Sequence, residues 1–242
     1  MPRLKIIRLM KIAFNGTALL SPLTGIGQYA HHLALGLQQE PDLNLLLFYG
    51  NRFERQVGAG APPLVGKMRG LVRRLIPNSY EISRWLQQRL FDRGAGANQF
   101  DLYHEPNFLA YRFDGPSVVT VHDLSWIRYP HTHPVERVKA MEKYFEPGLR
   151  RASLVLTDSE FVKRELIEVF HVEPSHILPV ALGLDPIFRP MNAQETRTVL
   201  AEQGLHHGDY FLSVGTMEPR KNIEATVASM FLRGSMVPTD RK

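Results

Sequence analysis

Two adjacent cations, Arg220 and Lys221, follow the apolar run Phe211, Leu212 and Val214 and precede Ile223, Ala225, Val227 and Met230 at helical spacing. The pattern reads as strand, loop and helix with the cations at the helix entrance, where open backbone N–H groups and the helix dipole already favour an anion. It suits a phosphate. A second turn of that kind is Gly25-Ile26-Gly27-Gln28-Tyr29-Ala30, a G-x-G-x-x-A pattern whose glycines would let backbone N–H groups approach a phosphate closely. His122 and Asp123 follow the apolar run 118–121, so both are expected at the carboxyl end of a parallel strand, where open α/β sheets bind ligands. A neutral imidazole there can orient a hydroxyl or a phosphate, or take a proton near neutral pH; set against that, a strand-end histidine is more often a structural one. His104 and Glu105 repeat the pair on the preceding strand, and the two pairs are expected to line one crevice.

Other chemistries find less support. Nine residues separate Asn15, the end of the first strand, from Gly25, too many for the tight dinucleotide-binding turn, and Gly50-Asn51-Arg52 supplies no acidic group for a ribose. A phosphate contact of another kind, or a purely structural turn, remains. The segment 60–68 resembles a P-loop but has Met68 where a hydroxyl is needed, and Pro62 and Pro63 remove N–H donors. His131 and His133, flanked by Pro130 and Pro134, are a weak metal pattern, and no H-E-x-x-H occurs, so no metal is expected. Cysteine is absent, which excludes disulfides and thiolate chemistry.

The elements that must position these groups follow from apolar periodicity. Strands are expected at 11–15, 43–49, 101–104, 117–121, 153–157, 177–180 and 210–214. Helices are expected at 26–37, at 71–76 and 82–90 on either side of Pro77, at 135–146, at 160–170 with Asp158 and Ser159 as capping candidates, and at 197–205. Alternation of the two argues for an α/β, Rossmann-like doubly wound parallel sheet over 10–190. The Pro/Gly-containing stretch 182–191 reads as a linker, and 191–242 as linker plus the first strand-loop-helix of a second Rossmann-like domain. Residues 1–9 read as a leader before Met10.

The net charge is +5, unevenly spread. Between Arg52 and Arg93 lie nine basic residues (Arg52, Arg55, Lys67, Arg69, Arg73, Arg74, Arg84, Arg89, Arg93) against Glu54, Glu81 and Asp92, a net +6. Apolar residues interleave, so the expected partner is an anionic membrane surface rather than nucleic acid, with a solvated helical face as the plain alternative. No apolar run reaches the roughly 18 residues of a membrane span.

Five pieces in order carry a likeness: G-I-G-Q-Y-A, T-V-H-D-L-S-W-I-R-Y-P, L-V-L-T-D-S-E-F-V-K-R-E-L, A-L-G-L-D-P-I-F-R-P and F-L-S-V-G-T-M-E-P-R-K-N-I. Together, from about Met10 to Ile223, they resemble the retaining GT-B glycosyltransferases of family 4, especially bacterial mannosyltransferase-like members that build surface polysaccharides such as the O-antigen of lipopolysaccharide. The resemblance implies two Rossmann-like domains facing across a cleft, with an acceptor-binding N-terminal domain and a C-terminal domain that binds a nucleotide-sugar donor. It implies no cofactor and no obligatory metal, a glycan or lipid-linked acceptor, and a cytoplasmic enzyme with peripheral membrane contact. Residue by residue, Gly25 and Gly27 would approach the donor phosphate, His122 would sit beside the reacting sugar as the catalytic group, and Arg220 and Lys221 would hold the diphosphate. Glu105 and Asp123 would lie on the acceptor side. The family's later glutamate pair has no counterpart before the chain stops, so the resemblance implies a C-terminally truncated chain, inactive alone. Rival readings are a non-catalytic module binding the glycan or lipid-linked acceptor, and an NADP-dependent Rossmann enzyme.

Overall fold

A computed structural model describes residues 8–58, 79–215 and 218–234. The chain divides into two compact units, Met1–Leu182 and Gly183–Lys242.

In the first unit the described elements run β1 (Met10–Asn15), α1 (Gly25–Gln39), β2 (Leu43–Phe48), β3 (Phe53–Glu54), α2 (Ser79–Asn98), β4 (Leu102–Glu105), β5 (Ser117–Val121), α3 (Ser125–Arg128), α4 (Val135–Arg151), β6 (Leu154–Thr157), α5 (Glu160–Phe170) and β7 (Ile177–Pro179). They build one seven-stranded sheet of order β3-β2-β1-β4-β5-β6-β7, parallel except for the short antiparallel β3. Period-two alternation buries both faces. Ile12, Phe14, Leu45 and Leu47 pack with Ala30 and Ala34 of α1 on one face. Ala13, Phe48, Tyr103, Val119 and Val121 pack on the other with Phe91 of α2, Met141, Phe145 and Leu149 of α4, and Val162 and Leu166 of α5. Helices on both faces of a parallel sheet make the α/β Rossmann-like fold that the alternating pattern predicted.

Most element positions agree with the sequence reading to within a few residues, and the departures have physical causes. The two-residue β3 is too short to carry a periodic signal. Helix α4 runs on through Pro147, because Phe145 and Leu149 are both buried in the core on its far side. The helix expected at 71–76 and the P-loop-like 60–68 lie outside the described residues.

The second unit holds α6 (Ala193–Glu202) and α7 (Ile223–Gly234). Helix α6 begins earlier than the expected 197, because Asn192 and Glu195 form a capping box that starts it. The strand expected at 210–214 is not there. Those residues pair with no ladder among the described residues, and Phe211, Leu212 and Val214 are 83%, 78% and 83% exposed. A strand exists only through its neighbours' hydrogen bonds, and the described part of this unit offers none.

Strand order reverses between β1 and β4, so the carboxyl-end crevice of the first unit opens there. Glu105 ties the two strands together. Its side chain is 1% exposed and accepts from Asn15 Nδ2 at 2.6 Å, Tyr103 Oη at 2.7 Å and the Asn107 amide at 3.0 Å. Burial pushes its carboxyl up to about 7, against the downward pull of those hydrogen bonds. Because the unfolded chain ionises Glu105 at an ordinary value, the folded state holds the extra proton between the two, and stability falls as pH rises through about 5 to 7. Urea unfolding of the wild type and of Glu105→Gln across that range should give a difference that shrinks with rising pH, by an amount on the order of 3 kcal/mol at most. A flat difference would show that the carboxyl is already ionised at low pH.

Candidate active site

The first turn of α1 is assembled from a loop that leaves its backbone donors open. Thr24 is extended and makes no side-chain capping bond, and the first turn holds no acidic residue. The two glycines differ. A Cβ on Gly25 would meet no protein atom within 4 Å, whereas one on Gly27 would come within 3.2 Å of Leu23. A side chain at Gly27 would thus press on Leu23, while Gly25 leaves the approach to the helix N-terminus open.

Tyr29, one turn further along α1, connects this turn to His122. Its hydroxyl lies 3.1 Å from Thr120 Oγ1, and its ring stands edge-on to the imidazole at 4.9 Å between centroids. Burial raises the Tyr29 hydroxyl above its ordinary value, so it stays a neutral hydrogen-bonding group. His122 follows β5 directly, and its side chain is only 10% exposed. Its Nδ1 is 2.8 Å from Asp158 Oδ2 and its Nε2 is 3.0 Å from the Pro106 carbonyl. The register explains the first contact: Val121 pairs with Thr157, so the next residue of each strand, His122 and Asp158, emerge side by side. Phe108 closes the surround at 5.6 Å at a left-handed φ of 62°, its backbone N–H donating a hydrogen bond to the Thr120 carbonyl. A bulky residue in that region stores roughly 1–3 kcal/mol of strain, which is where functional sites concentrate it.

The other candidates divide. Asp123 accepts from the Ser125 amide at 2.9 Å, turning the chain into α3, and remains partly exposed beside His122. The His104-Glu105 pair does not line an open crevice as expected. Both side chains are buried, because successive residues of a strand point to opposite faces and both faces here are covered. Burial lowers His104 to about 4, so it is neutral; its Nε2 lies 3.1 Å from Thr120 Oγ1. Glu105 thus acts beneath the crevice as a brace rather than at its surface. Ser125 Oγ lies 2.9 Å from His133 Nε2, and His131 is exposed. In the second unit, Pro219, Arg220 and Lys221 form a single tight turn that ends at Asn222 in the left-handed region, immediately before α7. The Lys221 side chain folds back over Gly215, where a Cβ would run into its ammonium group.

Sequence reading missed Asn15, Tyr29 and Pro106, and offered Asp158 only as a capping candidate beside Ser159. Ser159 is the cap, accepting from the Val162 amide at 3.3 Å, which leaves the Asp158 carboxylate to His122. Only the adjacency of β5 and β6 reveals that partnership.

Residues 23–187 match the model of the family described as Glycosyltransferase Family 4. The chain is also 34% identical over 222 residues to O-antigen chain mannosyltransferase B of Escherichia coli, an alignment covering 88% of this chain and 58% of that protein. The chain thus spans less than two thirds of the length of that curated relative. The match across more than half the chain, on a Rossmann-like sheet with His122 and the glycine turn at its carboxyl edge, makes this chain a member of glycosyltransferase family 4.

Proposed function

We propose that the chain supplies the acceptor side and the phosphate corner of a retaining glycosyltransferase that moves a hexose, mannose in our reading, from a nucleotide-sugar to a glycan or lipid-linked acceptor of a cell-surface polysaccharide. The observation that carries this is the His122 site: a histidine fixed at the carboxyl edge of a parallel sheet beside an uncapped helix N-terminus, in a chain matching the family model. In this reading the first-turn amides at Gly25 and Gly27 approach a donor phosphate, His122 stands beside the sugar and Asp123 faces the acceptor, while Arg220 and Lys221 of the second unit are diphosphate ligands in their own right. The bond from the anomeric carbon to the diphosphate oxygen breaks, and the acceptor oxygen bonds to that carbon on the same face. The departing diphosphate takes the acceptor's proton. Cations there stabilise charge that grows only in the transition state, which is where binding energy accelerates a reaction. In this reading no metal or other cofactor takes part in the transfer.

A peripheral contact with an anionic cytoplasmic membrane surface belongs to the same proposal, and α2 supports it. Ile82, Trp85 and Leu86, at i, i+3 and i+4, are 59%, 60% and 51% exposed, with the Arg89 guanidinium over the Trp85 ring at 5.4 Å. Arg84 is spent elsewhere, on the Leu109 and Ala110 carbonyls. Lys67, Arg69, Arg73 and Arg74 lie outside the described residues. No described helix is long and apolar enough to cross a membrane.

Three measurements test the proposal. In a chain completed by the C-terminal part of a relative, Lys221→Ala should lower turnover roughly a hundredfold, about 2.7 kcal/mol, at saturating donor. His122→Ala should be comparably severe and His131→Ala nearly silent; the reverse ranking would remove the active crevice from His122. Gly25→Ala should leave the melting temperature unchanged, since its Cβ meets no protein atom, while weakening nucleotide-sugar binding. Equal affinity in both proteins would mean that no phosphate approaches that turn. Finally, cosedimentation with anionic liposomes should fall steeply with salt, each basic residue near the surface contributing about 1 kcal/mol at low salt, and should weaken in Trp85→Ser. Equal binding to neutral vesicles would refute the membrane contact.

A further inference from the structure

We propose that Asp158 is the positioning residue of this site: with the Pro106 carbonyl it clamps the His122 ring with a proton on each nitrogen, so that His122 is held as a fixed imidazolium and not as a proton acceptor. The proposal rests on the reading of His122 as the group beside the sugar, and deepens it. A backbone carbonyl can only accept a hydrogen bond, and so can an ionised carboxylate. The ring nitrogens stand 2.8 Å from Asp158 Oδ2 and 3.0 Å from the Pro106 oxygen, both ordinary hydrogen-bond lengths. A neutral imidazole has one N–H, so it would set a bare nitrogen lone pair against one of these oxygens. Two protons satisfy both.

The surroundings leave the clamp to these groups. Asp158 has no capping duty, since Ser159 performs it, and its carboxylate keeps 22% exposure. The Tyr29 hydroxyl, from α1, is engaged with Thr120, and Asp123 accepts from the Ser125 amide. The rings of Tyr29 and Phe108 meet the imidazole at 83° and 80°, which leaves it little freedom to turn. The imidazolium and the Asp158 carboxylate form a pair that is neutral overall, so the open first-turn amides of α1 are left to attract the diphosphate. The ring has no lone pair to receive the acceptor's proton, which must leave with the diphosphate oxygen.

The test reads the ring itself and requires no turnover, so it can fail while the transferase reading stands. The full chain is labelled with ¹⁵N-histidine, His122 is assigned through the signals lost in His122→Gln, and long-range ¹H–¹⁵N spectra are recorded near neutral pH. Both His122 nitrogens should resonate in the proton-bearing range in the wild type. In Asp158→Asn, which keeps an acceptor oxygen for Nδ1–H but not the charge, one nitrogen should move to the bare range. Asp158→Ala should in addition broaden the ring signals. A wild-type ring with one bare nitrogen, or an Asp158→Asn ring identical to wild type, would overturn the proposal. If the Asp158 variants fail to fold, the wild-type spectrum, with His122 assigned through His122→Gln, decides the matter.

Discussion

A carboxylate buried where β1 and β4 meet governs the carboxyl edge of the sheet. Glu105 gathers the Asn15 amide, the Tyr103 hydroxyl and the Asn107 backbone, so the ends of both strands and the start of the following loop share one acceptor. Desolvating such a group costs several kcal/mol unless it is neutral or fully bonded, and here three donors converge on it. Asn15 uses its own oxygen as well, accepting from the Thr17 amide, which extends the brace into the chain leading toward the glycine turn. Removing the acceptor would leave buried donors unpaired on two strands at the point where the sheet reverses its order.

On the opposite face a second polar line runs from inside to edge. His104, neutral and buried, meets Thr120, Thr120 meets Tyr29, and Tyr29 packs edge-on against His122. Helix α1 is thereby keyed to β5 by side chains, in addition to the apolar packing of Ala30 and Ala34 with residues of β1 and β2. The glycine turn and His122 are set relative to one another by rigid elements, the condition under which small geometric differences govern catalysis.

The outer side of α2 obeys a different constraint. Phe91 is wholly buried in an aromatic cluster with Phe48, Tyr103 and Tyr111, which anchors one side of the helix and turns Ile82, Trp85 and Leu86 outward. A helix apolar on both sides has two environments to satisfy, and the sheet supplies only one of them.

The residues by themselves determined the alternation of elements, the two-faced burial of the strands and the family, because period-two and helical apolar patterns report local burial and the motifs are contiguous. His122, Asp123 and the glycine turn were legible for the same reason. What joins them was not. Asp158 lies 36 residues from His122, and Glu105 lies 90 from Asn15, so neither pairing leaves a local signature. Strand order decided both, through the registers of β5 with β6 and of β1 with β4. It also decided that Glu105 points inward, since alternation along β4 says only that His104 and Glu105 face opposite ways and the covering helices bury both. The failed strand at 210–214 has the same origin: an apolar run states a preference, and only a neighbouring strand can satisfy its backbone.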